Sequence, residues 1–329
     1  MPNEAGPKTS SPNNRVFGPV VAWLKKFFNR LIENPLMRRI VVNSGYLFSA
    51  TGIAAILSLL QNILTGRLLG VAGLGLLATI MMFSSVVNKF ASFRMSELVI
   101  KYVGQFDEQD DPARAAAVFK AAALAELAAS LFAFGLVALF SPLASRWLAK
   151  DESLTGVFIL YGLIILANLI AESSTGLLQV LNRYRRIARS NIWGSAVTLA
   201  IICLVYLVFY QSTPAALQQQ GLSPDSMAQA TQNLMQRALP AVVVAYLLGK
   251  IVNALALTLE ALRQARQHWG KGWQRTSLRL LQPQARQLLH FAISTNISAT
   301  LSLVNKDAEL LWISLFRSPV EVGYYKTAR

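Results

Sequence analysis

The stretch GLGLLATIMMFSSVVNKFASFRMSELVIK, residues 73–101, decides how the chain is read. It has the length and apolar weight of a membrane-spanning helix, yet its second half carries Asn88, Lys89, Arg94 and Glu97. An ionised side chain facing hydrocarbon costs at least about 2.5–3.5 kcal/mol, so such residues face a bundle interior, a water-filled cavity or a partner. On a continuous helix advancing about 100° per residue, Lys89, Arg94, Glu97 and Lys101 fall within an arc of roughly 140°. One face is therefore expected to be wet or paired. The opposite face, rich in Leu, Ile, Met, Val and Phe, meets lipid or neighbouring helices.

The rest of the 329-residue chain fits a protein with many such spans. It is 54% hydrophobic and 14% charged, with a mean hydropathy of +0.43, whereas soluble domains sit near about 25% charged. Cys203 stands alone in an apolar run, so no internal disulfide forms, and His268 and His290 are the only histidines. These counts argue against a zinc site or a catalytic triad. A phosphate-binding Gly-Lys-Ser/Thr loop and a Gly-x-Ser-x-Gly elbow are also absent from the sequence. No enzyme activity and no cofactor is expected.

Outward from the opening stretch, residues 1–14 read as a polar, disordered cytoplasmic tail and residues 15–40 as an amphipathic interfacial helix, with Lys25 and Arg30 meeting lipid headgroups. Six apolar spans follow, at about 44–65, 74–101, 115–140, 154–181, 192–210 and 239–259. A seventh, more polar, covers 288–316, and an eighth begins at Val320. The fold class is therefore all-α: a transmembrane bundle over 41–262, a basic cytoplasmic linker over 263–287, and the start of a second bundle over 288–329. With the N-terminus placed in the cytoplasm, the inner segments hold nineteen Lys and Arg and the outer segments five. This positive-inside bias absorbs much of the net charge of +15 and makes nucleic-acid binding unnecessary.

Between the fifth and sixth spans, the Gln-rich segment 211–237 reads as a polar outer loop with a short helix over 226–235. Small residues at Gly45, Ser49 and Gly52, and at Ser173, Ser174 and Gly176, read as surfaces for close helix approach. Lys101, Lys120 and Arg67, near span ends, are expected to snorkel. The chain also aligns with itself at an offset of 248: LLGVAGLGLLAT, residues 68–79, matches FRSPVEVGYYKT, residues 316–327, with Gly75 on Gly323 and Thr79 on Thr327. Repeats of this kind build many transporters, and here the second copy is expected to be truncated.

Three stretches carry a family resemblance: TGRLLGVAGLGLLAT (65–79), GLLQVLNRYRRIARSNI (176–192) and LVNKDAELLWISLFRSPVEVGYYKTA (303–328). In order and spacing, from about residue 41 onward, the chain resembles the polysaccharide-transporter branch of the multidrug/oligosaccharidyl-lipid/polysaccharide exporter superfamily. The resemblance implies a twelve- to fourteen-helix bacterial inner-membrane transporter with two six-helix halves around a cavity. It further implies alternating access and flipping of undecaprenyl-diphosphate-linked oligosaccharide for surface polysaccharide such as O-antigen. Arg94 and Asp307 fall near positions where such proteins often carry polar residues.

A lipid-linked pyrophosphate sugar requires Arg or Lys for the pyrophosphate, amides and hydroxyls for the sugar, and a seam open to lipid. The candidates for substrate contact are Lys89 and Arg94 on the second span, Lys250 and Asn253 on the sixth, and Asn305 and Lys306 on the seventh. Glu97, Asp307 and Glu309 are candidates for H+ or Na+ coupling, with pairing to a nearby Arg or Lys as the competing role. Lys89 and Arg94 have the same competing role, with Glu97, Glu126 or Glu172 as the neutralising partner. The expected partners are thus lipid-linked oligosaccharide, membrane lipids and a coupling ion. An ion-coupled multidrug exporter and a peptidoglycan-precursor flippase are the alternatives; the first needs a net acidic cavity, against which the Lys and Arg count argues. A membrane-embedded glycosyltransferase and a non-transporting remnant that only binds partners are weaker readings.

Overall fold

The computed structural model describes residues 35–91, 94–210, 224–306 and 309–328, and among them the chain forms helices and turns with no strand. The expected tail, the interfacial helix up to residue 34, residues 211–223 of the polar loop, and Asp307 lie outside the described residues. Five helical segments are long and apolar enough to cross a membrane: Phe48–Ala91, Pro112–Ala149, Glu152–Val180, Tyr184–Val208 and Gln232–Trp269. By length and composition these segments are those of a multi-pass membrane protein.

The first segment belongs to α1 (Pro35–Ala91), whose 57 residues include one break, at Gly70 with φ 68° and ψ −177°. Only glycine adopts that backbone state readily. Leu59 and Ser85 would stand about 39 Å apart on a straight helix, yet both line one cavity. The chain thus folds back at Gly70, and the two arms correspond to the first two expected spans. The second arm is shorter than residues 74–101 suggest. Its described part runs to Ala91, and a separate helix α2 (Met95–Glu108) starts after Arg94, whose ψ of 71° is not helical. The single charged arc inferred for a continuous helix is therefore split across two helices.

Helix α3 (Pro112–Ala144) begins with Asp111 accepting a hydrogen bond from the Arg114 N–H at 3.0 Å and with proline in its first turn, both strong start signals. It runs on through a π turn, Ser145–Ala149. The fourth expected span is divided into α4 (Thr155–Ala167) and α5 (Ala171–Val180). After a turn at Asn182, α6 (Tyr184–Val208) leads to α7 (Pro224–Trp269), one 46-residue helix that absorbs the short loop helix expected over 226–235. The described parts of the seventh expected span are α8 (Ala285–Lys306) and α9 (Glu309–Phe316), neither among the five long apolar segments found in the described residues, and α10 (Pro319–Ala328) follows.

Three close approaches lock the helices. A Cβ on Gly249 of α7 would overlap the Thr198 hydroxyl of α6, and one on Gly176 of α5 would come within 2.7 Å of the Ser96 carbonyl of α2. One on Gly75 of α1 would overlap the Pro319 carbonyl of α10, while one on Gly323 would overlap that of Val71. The glycines aligned by the internal repeat thus lie in the same contact. By contrast, a Cβ on Gly45 or Gly52, both expected to mediate close packing, would meet nothing within 4 Å among the described residues.

Two large apolar cores fill the bundle, beside a small cluster of Ala78, Leu310 and Val322. One, at the basic end, gathers Tyr102, Phe106, Phe119, Leu177, Leu257 and Trp273; the other, at the Gly70 end, gathers Leu68, Ile80, Val137, Phe158, Ile165 and Val243. On α3, Ala122 belongs to the first and Ala133 to the second; on α7, Leu257 and Val243 do the same. Glu126 and Lys250 fall between them, so a polar layer separates the two cores.

Candidate functional site: a polar layer and a lateral cavity

A cavity of about 370 Å³ opens in that layer, with Glu126, Glu172, Asn191, Lys250 and Asn253 among its walls. Two of the helices beside it are interrupted at this depth, and each interruption leaves backbone N–H and C=O groups that must find partners away from water. Glu126 supplies them for α5. Its carboxyl group, 5% exposed, accepts hydrogen bonds from the N–H of Glu172 (2.8 Å), the N–H of Ser173 (2.9 Å) and the hydroxyl of Ser173 (2.6 Å). On the other side of the break, the Asn168 amide donates to the Ile164 carbonyl at 2.9 Å, closing the end of α4.

Glu172, in the first turn of α5, repeats the device one step on. Its carboxyl group stands beside the backbone N–H groups of Met95 and Ser96 and so faces the start of α2, while Glu126 caps the helix that carries it. The α1/α2 and α4/α5 breaks are joined into a relay from α3 through α5 to α2. Negative charge at these helix starts is also favoured by the helix dipole. Arg94 and Lys250 are the cations acting on Glu172. Lys250 forms no ion pair within 4 Å among the described residues, whereas Asn253, one turn away on α7, donates to the Asn191 side-chain carbonyl at 2.8 Å.

Of the substrate candidates, Lys250 and Asn253 stand together in this cavity. Lys89 is half-buried in the last turn of α1, next to cavity-lining Asn88. Arg94 is half-exposed and pairs with Glu97 at 2.9 Å, the neutralising role weighed for it. Glu309 is exposed at the start of α9 and accepts a hydrogen bond from the Tyr325 hydroxyl. Asn305 and Lys306 end α8, and their side chains lie outside the described residues.

A second, larger cavity of about 1100 Å³ lies between the two arms of α1 and the last helices. Its walls are mostly apolar, with Leu59, Leu74, Met81 and Leu310 among them, and two exposed cations, Arg67 and Lys326, stand on its rim with Asn62 and Thr327. It therefore pairs a surface for hydrocarbon with a cationic, hydrogen-bonding patch.

Glu126, Glu172, Arg67 and Lys326 were not among the residues expected to form a site. The signal for Glu126 was present, since it is a lone ionisable residue in the span AAALAELAAS. That for Glu172 lay in NLIAESS, where Asn and then Glu-Ser-Ser interrupt an apolar run as they do at helix ends and starts. Arg67 and Lys326 are 259 positions apart and line one cavity only through the docking of α10 on α1. Compared with known proteins, the chain matches no family model, no curated protein and no solved structure.

Proposed function

We propose that this chain is a transporter module of the polysaccharide-exporter type that moves a lipid-linked oligosaccharide across a bacterial inner membrane, without covalent catalysis. The observation that carries the reading is the lateral cavity, in which apolar walls end at Arg67, Lys326, Asn62 and Thr327. A polyprenyl diphosphate has the matching halves: a tail for the walls, and an anionic head for two cations whose charge-assisted bonds are worth about 1.5–3 kcal/mol each. The interrupted helices around the polar layer also support a transport role, because such breaks line cavities in many transporters. The inner/outer count of Lys and Arg supports a cytoplasmic N-terminus, with Gly70 toward the outer face.

The test is translocation of a fluorescent undecaprenyl-diphosphate oligosaccharide in proteoliposomes containing the full chain. The expected result is transport that falls at least tenfold in Arg67→Gln plus Lys326→Gln. Absence of transport by the parent, or parental rates in the double variant, refutes the assignment. A second reading, an ion-coupled exporter of cationic compounds, is favoured by Glu172, which is exposed to the polar cavity. It predicts uptake of lipophilic cations into the same vesicles against an imposed proton or sodium gradient, abolished in Glu172→Gln.

A further inference from the structure

We infer that a groove at the basic end of α7 seats the headgroup of an anionic phospholipid. Leu248, Leu255 and Leu259 are exposed on α7, and at about 100° per residue they share one line with Leu262, Arg263 and Arg266, within an arc of roughly 100°. An apolar track thus runs directly into a pair of cations. The helix stops at Trp269, and Gly270, with φ 85°, turns the chain so that Lys271 returns over the same place. Together Leu259, Leu262, Arg263, Arg266, Lys271 and Trp273 line a groove of about 270 Å³.

The charges there are uncompensated. No carboxylate is among the described residues lining the groove, and none of the three cations forms an ion pair within 4 Å among the described residues. The floor is also fixed. Trp273 is buried, its ring 5.4 Å from that of Phe119, and Lys120 donates to the Thr276 carbonyl at 3.1 Å, which ties the linker to α3. A phosphate alone would need only the cations. The exposed leucines leading into them select a ligand with acyl chains attached, and basic pockets beside membrane helices are known to take anionic headgroups.

The test uses the full chain purified in a neutral detergent and titrated with phosphatidylglycerol, phosphatidylcholine or inorganic phosphate, with bound lipid read by native mass spectrometry. Phosphatidylglycerol is expected to be retained, phosphatidylcholine lost, and millimolar phosphate unable to displace the bound lipid. Each cation near a membrane surface is worth roughly fivefold in affinity, so Arg263→Gln, Arg266→Gln and Lys271→Gln together should weaken retention on the order of 100-fold. Arg275→Gln, Arg279→Gln and Arg286→Gln, outside the groove, should weaken it less than about fivefold. Equal losses in the two triple variants, equal retention of the two lipids, or displacement by phosphate would each overturn the inference. Should the groove variant not purify intact, Arg266→Gln alone is expected to bind about fivefold more weakly, and undiminished binding would overturn it equally.

Discussion

Replacing Glu126 with alanine removes the acceptor that three donors share. The N–H groups of Glu172 and Ser173 lie in the first turn of α5, in the polar layer between the two apolar cores, and the bond from Ser173 is buried. Leaving a buried donor unpaired costs about 1–3 kcal/mol, and the Ser173 hydroxyl adds less because it can rotate to another acceptor. The expected loss for Glu126→Ala is therefore about 2–6 kcal/mol. Glu126→Gln keeps one acceptor oxygen but turns an amide toward donors, for an intermediate loss of about 1–3 kcal/mol. The measurement is equilibrium unfolding in mixed micelles of increasing sodium dodecyl sulfate, followed by tryptophan fluorescence, with Ser173→Ala completing a double-mutant cycle. Coupling between positions 126 and 173 should be about 0.5–3 kcal/mol. If Glu126→Ala lies within about 0.5 kcal/mol of the parent and the coupling vanishes, the carboxyl group does not hold the start of α5.

Other changes test the remaining joints with the same unfolding assay. Gly70→Ala forces a side chain into a backbone state reserved for glycine and should cost about 1–3 kcal/mol. Gly75→Ala should be strongly destabilising or release α10, seen as new protease cleavage after Phe316, whereas Gly52→Ala, with open space around it, should be neutral. Arg186→Gln should cost about 1–3 kcal/mol because it strips Glu260, a buried carboxylate, of a partner at 2.5 Å. The more exposed Arg94–Glu97 pair should yield less than about 1 kcal/mol on Arg94→Gln.

The helical class and the positions of the long apolar segments were legible because each span carries its own composition. So was the fold-back in α1, since GVAGLG places flexible residues between two apolar runs. The break at Arg94 was not. ASFRMS holds no proline or glycine, and the carboxyl group that stands beside the helix start at Met95 is that of Glu172, 77 positions away. The break therefore parts Lys89, on α1, from the other three charges: Arg94 and Glu97 satisfy each other at the junction, while Lys101, farther along α2, lies over the Phe291 ring at 4.3 Å. Lys250 and Asn253 could be paired from sequence because they are one turn apart on an unbroken helix. The carboxyl groups facing them come from other helices, and no local pattern gives their register.

The crossing of α1 and α10 has a mechanical consequence. Because Gly75 and Gly323 let backbone touch backbone, the two segments bear on each other with no side chain between them to act as a cushion. Such a point is a fulcrum: tilting by about 10° around it carries the far end of a 30 Å helix through about 5 Å, while the contact itself hardly moves. The rim cation Lys326 rides one turn beyond this pivot on α10, and Arg67 lies across the Gly70 fold-back on α1. The lever of about 4.5 Å from Gly323 to Lys326 carries that cation through only about 1 Å for the same tilt, so the crossing keeps Lys326 at the mouth of the lateral cavity nearly still while the far ends of the long helices swing.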